Sequence, residues 1–307
     1  VKDQSDVKDA YSTDAKIAEN DLVVLEDDLQ FFPQYKAVFL YRLNMPTGAV
    51  AALRKLEGTI DEERMIRLNA EAEKTKNYAL AAALYFGKEA RQTAEGGTPS
   101  YTSQLVRWTA RHLQLVGISM LLAILVGIPL GIWASRPGLV SQIILGTVGM
   151  IQTIPSLALL ALLIPLLGIS AQNAIVALFL YSLLPIVRNT ATGLQDIPTP
   201  LRESAAALGL EPGAQLTKVF LPMASRTILA GIKTSAIINV GTATIAALVG
   251  AGGLGEPIIS GLNLNDTETI LQGAIPAALL ALLVQFCFDF LDRLLIPRGL
   301  RLPVRRP

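Results

Sequence analysis

Between Arg111 and Arg188 the chain carries one charged side chain, Arg136. A stretch of that length without charge has almost nothing to offer water, so it reads as embedded in lipid, where about 20 consecutive apolar residues cross a hydrocarbon core of about 30 Å. The first 100 residues are the opposite, holding more than half of all the Asp, Glu, Lys and Arg in the sequence. A polar, water-facing segment is therefore followed by a membrane segment, and the mean hydropathy of +0.46 is the average of the two. A net charge of +1 argues against a nucleic-acid partner held by phosphate neutralisation. Cys287, the single cysteine, lies in an apolar run and rules out an intrachain disulfide. Val1 opens inside a folded-looking pattern, with neither initiating Met nor signal segment, so further sequence is expected upstream.

Five segments reach spanning length, at about 112–134, 140–165, 172–188, 226–250 and 270–292. The third is short, the fourth is unusually polar, and Pro155 predicts a kink in the second. The loop at 251–269 has no Lys or Arg, whereas 189–225 has Arg202 and Lys218 with Arg188 and Arg226 at its borders, and the tail has Arg298, Arg301, Arg305 and Arg306. The positive-inside rule places 189–225 and the C-terminus in the cytoplasm, and five spans then place the N-terminal segment outside. Arg107 and Arg111 oppose this mildly.

In the polar segment, Val23–Leu25 and Ala37–Leu40 read as strands. Thr59-Ile60-Asp61-Glu62 has capping-box spacing and predicts a helix through about Glu73; a second helix is expected over about Asn77 to Arg91. Strands followed by helices make a small α/β unit. The expected organisation is 1–95 soluble domain, 96–110 linker, 111–297 membrane domain with its large loop at 189–225, and 298–307 basic tail.

That loop holds Glu203-Ser204-Ala205-Ala206-Ala207-Leu208-Gly209, then nine residues, then Val219-Phe220-Leu221-Pro222. Pro198 and Pro200 predict the start of a short helix of small residues and Gly209 its end, with Arg202 and Glu203 as rim groups. Such a helix seats closely in a groove on another protein; an ordinary surface helix is the alternative. The segment resembles the EAA signature of bacterial ABC-importer permeases, with Ser204 as its one departure. The resemblance implies a type I importer permease fold whose Glu203, Ala205, Gly209, Leu221 and Pro222 couple to a cytoplasmic ATPase dimer. The chain has no G-x-x-x-x-G-K-[ST] loop, so ATP hydrolysis belongs to a separate subunit. No catalytic cluster, metal site or cofactor motif is visible, and a transport role rather than an enzymatic one is expected.

Ser235, Asn239 and Thr242 recur at helical spacing within the fourth span. Polar groups at membrane depth face a cavity or pair across helices, so this stripe lines a translocation path or bonds the bundle together. Gly250–Pro257 and Met150–Leu157 resemble the osmoprotectant branch of these permeases, and the resemblance covers about 105–295. Lone His112 is expected at the membrane interface, and Asp289 is expected to pair with Arg293 one turn on.

The N-terminal segment resembles the C-terminal part of the same branch's solute-binding proteins, of periplasmic-binding-protein type II, on Asp9–Asp14, Leu25–Asp28 and Phe31–Tyr35. The resemblance implies that Tyr11 and Tyr35 belong to an aromatic cage around a trimethylammonium group, with Thr13 and Asp14 as weaker polar candidates. A tyrosine after a strand is otherwise a packing residue. The function this implies is ATP-driven uptake of a quaternary-ammonium osmoprotectant such as glycine betaine, choline or carnitine. It would act in the bacterial inner membrane, with a second permease subunit, most simply another copy of this chain. An ergothioneine importer of the same build, or a passive osmosensing channel, are the other expectations held open.

Overall fold

The computed structural model describes residues 7, 10–29, 31–32, 36–41, 43–75, 78–87, 100–264 and 266–295. The chain divides into two units, Val1–Pro99 and Ser100–Pro307.

The first unit is helical among its described residues: α1 (Ala15–Glu19), α2 (Thr47–Arg54), α3 (Glu62–Thr75) and α4 (Tyr78–Phe86). Asp61, not Thr59, starts α3: its Oδ1 accepts the Arg64 N–H at 2.8 Å, while the Thr59 hydroxyl bonds back to Leu56 O and receives the Tyr85 hydroxyl at 2.7 Å. The two runs expected as strands form no strand among the described residues, and Val23, Leu25, Val38 and Leu40 are exposed. A strand forms only when a neighbour takes its backbone N–H and C=O groups. Among the described residues the helical half of the expected α/β unit is present. The described buried apolar residues of this unit are three alanines, Ala15, Ala81 and Ala83.

The second unit begins at once as helix. Ser100 Oγ accepts the Ser103 N–H and opens α5 (Tyr101–Ala134), so the expected linker over 96–110 gives way to helix from Tyr101. Then come α6 (Leu139–Thr153), α7 (Ser156–Leu167), α8 (Ala171–Gln195), α9 (Thr199–Ala207), α10 (Pro212–Gln215) and a π-helical turn (Leu216–Phe220). The unit closes with α11 (Leu221–Thr242), a 3₁₀ turn (Ile245–Val249), α12 (Gly255–Asn263) and α13 (Thr267–Leu295).

Three of these, α5, α8 and α13, are long and apolar enough to cross a membrane, and the α6–α7 pair is a fourth if counted as one span. The pair is bent by 101°, far more than a kink. Ile154 is extended, as the residue before a proline prefers, and the Tyr181 hydroxyl caps its freed carbonyl from α8. The fourth of the five expected spans, α11, has 22 residues, about 33 Å at about 1.5 Å each, but falls short in apolarity. Its polar side chains are the reason, and of these Ser235 and Asn239 are buried in the bundle.

The core is built where α5, α8 and α11 approach closely, around Leu115, Ala123, Leu178, Ile186 and Val240. A Cβ on Gly131 of α5 would stand 2.8 Å from Val187 O on α8, and one on Gly231 of α11 would stand 2.6 Å from Pro185 O. Small residues at these crossings let the backbones meet, which in a membrane replaces the missing hydrophobic drive between helices. His112, expected at the interface, is fully buried instead, with Nε2 3.0 Å from Val240 O.

Candidate functional site

The loop helix α9 starts where two prolines make its first turn natural: Pro198 is its N-cap and Pro200 lies in its first turn. It ends at Gly209, whose φ of +71° is open to glycine and strained for other residues. Between these ends the residues sort by face. Ala205 is 3% exposed and anchors the helix against the body of the protein. Leu201, Glu203, Ser204 and Leu208 are exposed, Leu208 at 78%. Leu201 and Leu208 are thus bare apolar side chains on the loop helix, and neither is among the residues expected to act there. Leu221 and Pro222 begin α11; Leu221 packs on the cluster of Leu194, Ile197, Ala224 and Ile228, and Pro222 is exposed.

Arg202, expected as a rim group, turns inward. Its Nε donates to Ile197 O at 3.2 Å, an Nη donates to Leu194 O, and the guanidinium lies over the Phe220 ring at 5.3 Å. A cation at the carbonyl end of a helix is favoured by its dipole. Gln195 then ties the same end of α8 to Ala134 and Ser135 at the end of α5. The loop helix is thus fastened to the ends of two spans.

Ser235 and Asn239 do not face a cavity. Ser235 Oγ donates to Ser182 O at 2.7 Å, and Asn239, 1% exposed, donates from Nδ2 to Ser119 Oγ at 3.0 Å and Ser182 Oγ at 2.8 Å. These bonds join α5, α8 and α11 at one buried node. Of the two readings of that stripe, the geometry of Ser235 and Asn239 is that of interhelical bonding. Thr242 is half-buried and borders a small pocket with Ser156, Leu160 and Tyr181. Asn239→Ala should therefore lower the thermal stability of the purified transporter by about 1 kcal/mol, in line with bonds of this kind in membranes. The KM of uptake per folded molecule should hold; a changed KM with unchanged melting would return Asn239 to the path.

Lys233 of α11 donates from Nζ to Asp289 Oδ1 at 2.5 Å. The side chain of Arg293, the expected partner of Asp289, lies outside the described residues.

In the first unit Tyr11, Thr13 and Asp14 form the turn that leads into α1. Asp14 Oδ1 accepts the Lys16 N–H at 3.0 Å, and Thr13 O accepts from Asn69 Nδ2 at 2.9 Å. Asp14 is thus engaged as a helix cap and the Thr13 backbone as a tie to α3, while Tyr11 stands exposed. Tyr35 lies outside the described residues, as do 96–99 and 298–307.

Residues 127–300 match the family described as "Binding-protein-dependent transport system inner membrane component". The chain belongs to this family. Residues 1–89 match a second family, "Substrate binding domain of ABC-type glycine betaine transport system". The choline transport system permease protein OpuBB of Bacillus subtilis (strain 168) is 43% identical over 198 residues, 64% of this chain and 91% of that protein. The osmoprotectant import permease protein OsmY of Salmonella typhimurium is 45% identical over 189 residues, 61% of this chain and 80% of that protein. Among solved structures, an inward-facing form of the MetNI methionine ABC transporter is similar with a TM-score of 0.58 and 26% identity, over 66% of this chain and 100% of that chain. The protein is a transport component of the ABC permease type, not an enzyme, with the mostly helical type I fold and a binding-protein-like segment before it. Membership makes it an integral inner-membrane protein and implies an ATPase partner and another permease subunit.

Proposed function

We propose that this chain is the permease subunit, carrying part of its own substrate-binding domain, of an ATP-driven importer of quaternary-ammonium osmoprotectants such as glycine betaine, choline or carnitine. The observation that carries this reading is the joining, in one chain, of a permease unit with a segment of the glycine-betaine binding family. Relatives of the permease unit named for choline and for osmoprotectant import support the same ligand class. A quaternary ammonium offers no hydrogen-bond donor, so it is held by aromatic faces, each worth about 0.5–2 kcal/mol.

In this reading residues 1–95 face outward and capture the ligand with Tyr11 and Tyr35, while Thr13 and Asp14 hold the turn that presents Tyr11. Residues 111–297 form the membrane domain, and 189–225 and the tail 298–307 face the cytoplasm. The basic residues of that loop support this orientation. Two copies of the chain enclose the path, and two ATPase subunits receive the α9 helices through Leu201, Glu203 and Leu208.

The test is uptake of labelled glycine betaine, choline, carnitine and ergothioneine by cells that lack other osmoprotectant carriers and express this chain with its ATPase. Uptake of the osmoprotectants is expected only with ATPase activity; uptake that persists with a hydrolysis-dead ATPase would overturn the importer reading. Tyr11→Ala should raise the KM of uptake about 2- to 30-fold, the equivalent of losing one cation–π contact of about 0.5–2 kcal/mol. An unchanged KM would take Tyr11 out of the cage.

A further inference from the structure

Near the start of α5, four residues on one broad face hold the connection between α11 and α12. His112 caps the end of α11. The Thr244 N–H, which would meet Val240 O in a longer helix, turns to Gly241 O at 3.3 Å, and His112 Nε2 takes the freed carbonyl at 3.0 Å. Arg111 Nε donates to Ala251 O at 2.9 Å, Arg107 pairs with Glu256 at 3.6 Å, and Trp108 packs on Leu254 and Ala277. Gly253 lies directly against the imidazole, where a Cβ would stand 3.3 Å from His112 Nδ1.

A carbonyl only accepts, so Nε2 carries the imidazole proton and Nδ1 is left as a bare lone pair. His112 Nδ1 and Trp108 Nε1, one turn apart on α5, are both buried with no hydrogen-bond partner. Buried polar groups are nearly always paired, and an exception calls for a reason. A proton added at Nδ1 is a buried charge whose new N–H has no acceptor, which is costly unless the packing gives way. The surrounding charges do not offset it. Arg111 is itself a cation, and Glu256 of α12 is bonded to Arg107. Lys233 of α11 is held by Asp289. In α6, α7 and α8 the one charge is Arg188, which follows Val187 at the Gly131 crossing. Asp266 and Glu268, at the start of α13, lie two turns or more before Ala277.

We propose that His112 is a positioning residue for transport, whose protonation undoes this clasp. Neutral, it seats the end of α11 on α5; protonated at Nδ1, it lifts the Gly252–Gly253 loop and lowers uptake. The sign follows from the geometry. The bond to Val240 O needs only Nε2–H, which both forms have, so acid adds the uncompensated charge alone, and the clasp holds at neutral pH and is lost on acidification. The effect on uptake rests on the transport reading above, with the start of α5 facing outward; the clasp itself does not.

The chain has two tryptophans, Trp108 and Trp133, and the second is exposed. In Trp133→Phe, Trp108 alone reports, and its quenching by acrylamide is measured on the purified transporter from about pH 7.5 to about pH 5.5, across the ordinary imidazole range. The quenching slope should rise at least about threefold on acidification. His112→Gln in the same background, whose amide can donate to Val240 O but does not titrate, should stay flat. A slope that does not change with pH, or that rises equally in His112→Gln, would overturn the proposal. The first of these needs no change at His112, so a variant that fails to fold does not rescue it. Choline uptake is read in proteoliposomes at the same external pH values, with the ATPase and buffered ATP inside. It should fall at least about threefold in the parent and hold in His112→Gln; an equal fall in both would remove His112 as the cause. Absence of ATP-dependent uptake at every pH would count against the importer, while Trp108 still decides the clasp.

Discussion

Gly255→Ala is expected to keep the membrane unit from folding. Gly255 is the first residue of α12, and it is pressed against the chain where α11 has just ended. A Cβ there would overlap the Thr244 carbonyl oxygen and lie 2.6 Å from Thr244 C and 2.9 Å from its Cα. All three obstacles are backbone, so no rotamer change clears them, and the strain exceeds the about 1–3 kcal/mol usual for one extra methylene in a packed core. Gly252 and Gly253, with φ of +79° and +91°, fix the loop that brings α12 to this point, and Arg111 holds the same loop through Ala251 O at 2.9 Å. The measurement is the yield and thermal stability of detergent-extracted transporter. Gly117→Ala is the matched control: its Cβ meets nothing within 4 Å, and alanine gains about 1 kcal/mol of helix propensity over glycine. Normal melting of Gly255→Ala would show that the turn is not packed as described.

The second large effect is expected at α9. Glu203→Arg together with Leu208→Asp reverses one charge and adds another on exposed positions, so folding should be untouched while docking to the ATPase fails. Removing central contacts of an interface typically costs about 2–4 kcal/mol, or about 30- to 1000-fold in affinity, enough to silence uptake. Gly209→Val acts by another route, since a β-branched residue resists a φ of +71°, and the end of α9 must re-form. In all these variants ligand binding by the intact protein should match the parent. Unchanged uptake by both would refute a coupling role for this helix; lost uptake with lost ligand binding would point to misfolding instead.

How much of this was legible in the sequence depended on how local each signal was. The apolar runs placed α5, α8 and α13, because hydropathy is a property of a segment by itself. Glu203 to Gly209 announced α9 at both ends, because Pro198, Pro200 and Gly209 act on their own backbone. Facing is another matter. Periodicity placed Ser235 and Asn239 on one stripe, but which side of α11 meets α5 and α8 is decided by Gly231 and its neighbours, whose partners lie on a different helix. Asp289 also accepts a bond from Lys233, 56 residues distant, a partner that no local spacing announces. Arg202 and His112 failed as expectations for the same reason, each being drawn inward by a carbonyl on another element. The strands at 23–25 and 37–40 show the converse limit: a strand is a property of two segments, and one of them alone cannot make it.

The fastening of α9 by Arg202 bears on how force travels in such a machine. A surface loop that is pushed ordinarily flexes and dissipates the displacement near its hinge. Here the pushed element is clamped to the carboxyl end of α8, which is itself tied to α5, so the load enters a strut of 25 residues, about 37 Å long at about 1.5 Å per residue. If the loop helix takes up motion from an ATPase as proposed, a shift of an ångström at its end would reach the far end of α8 as rigid-body tilt, and the Asn239 node joins α11 to the same strut.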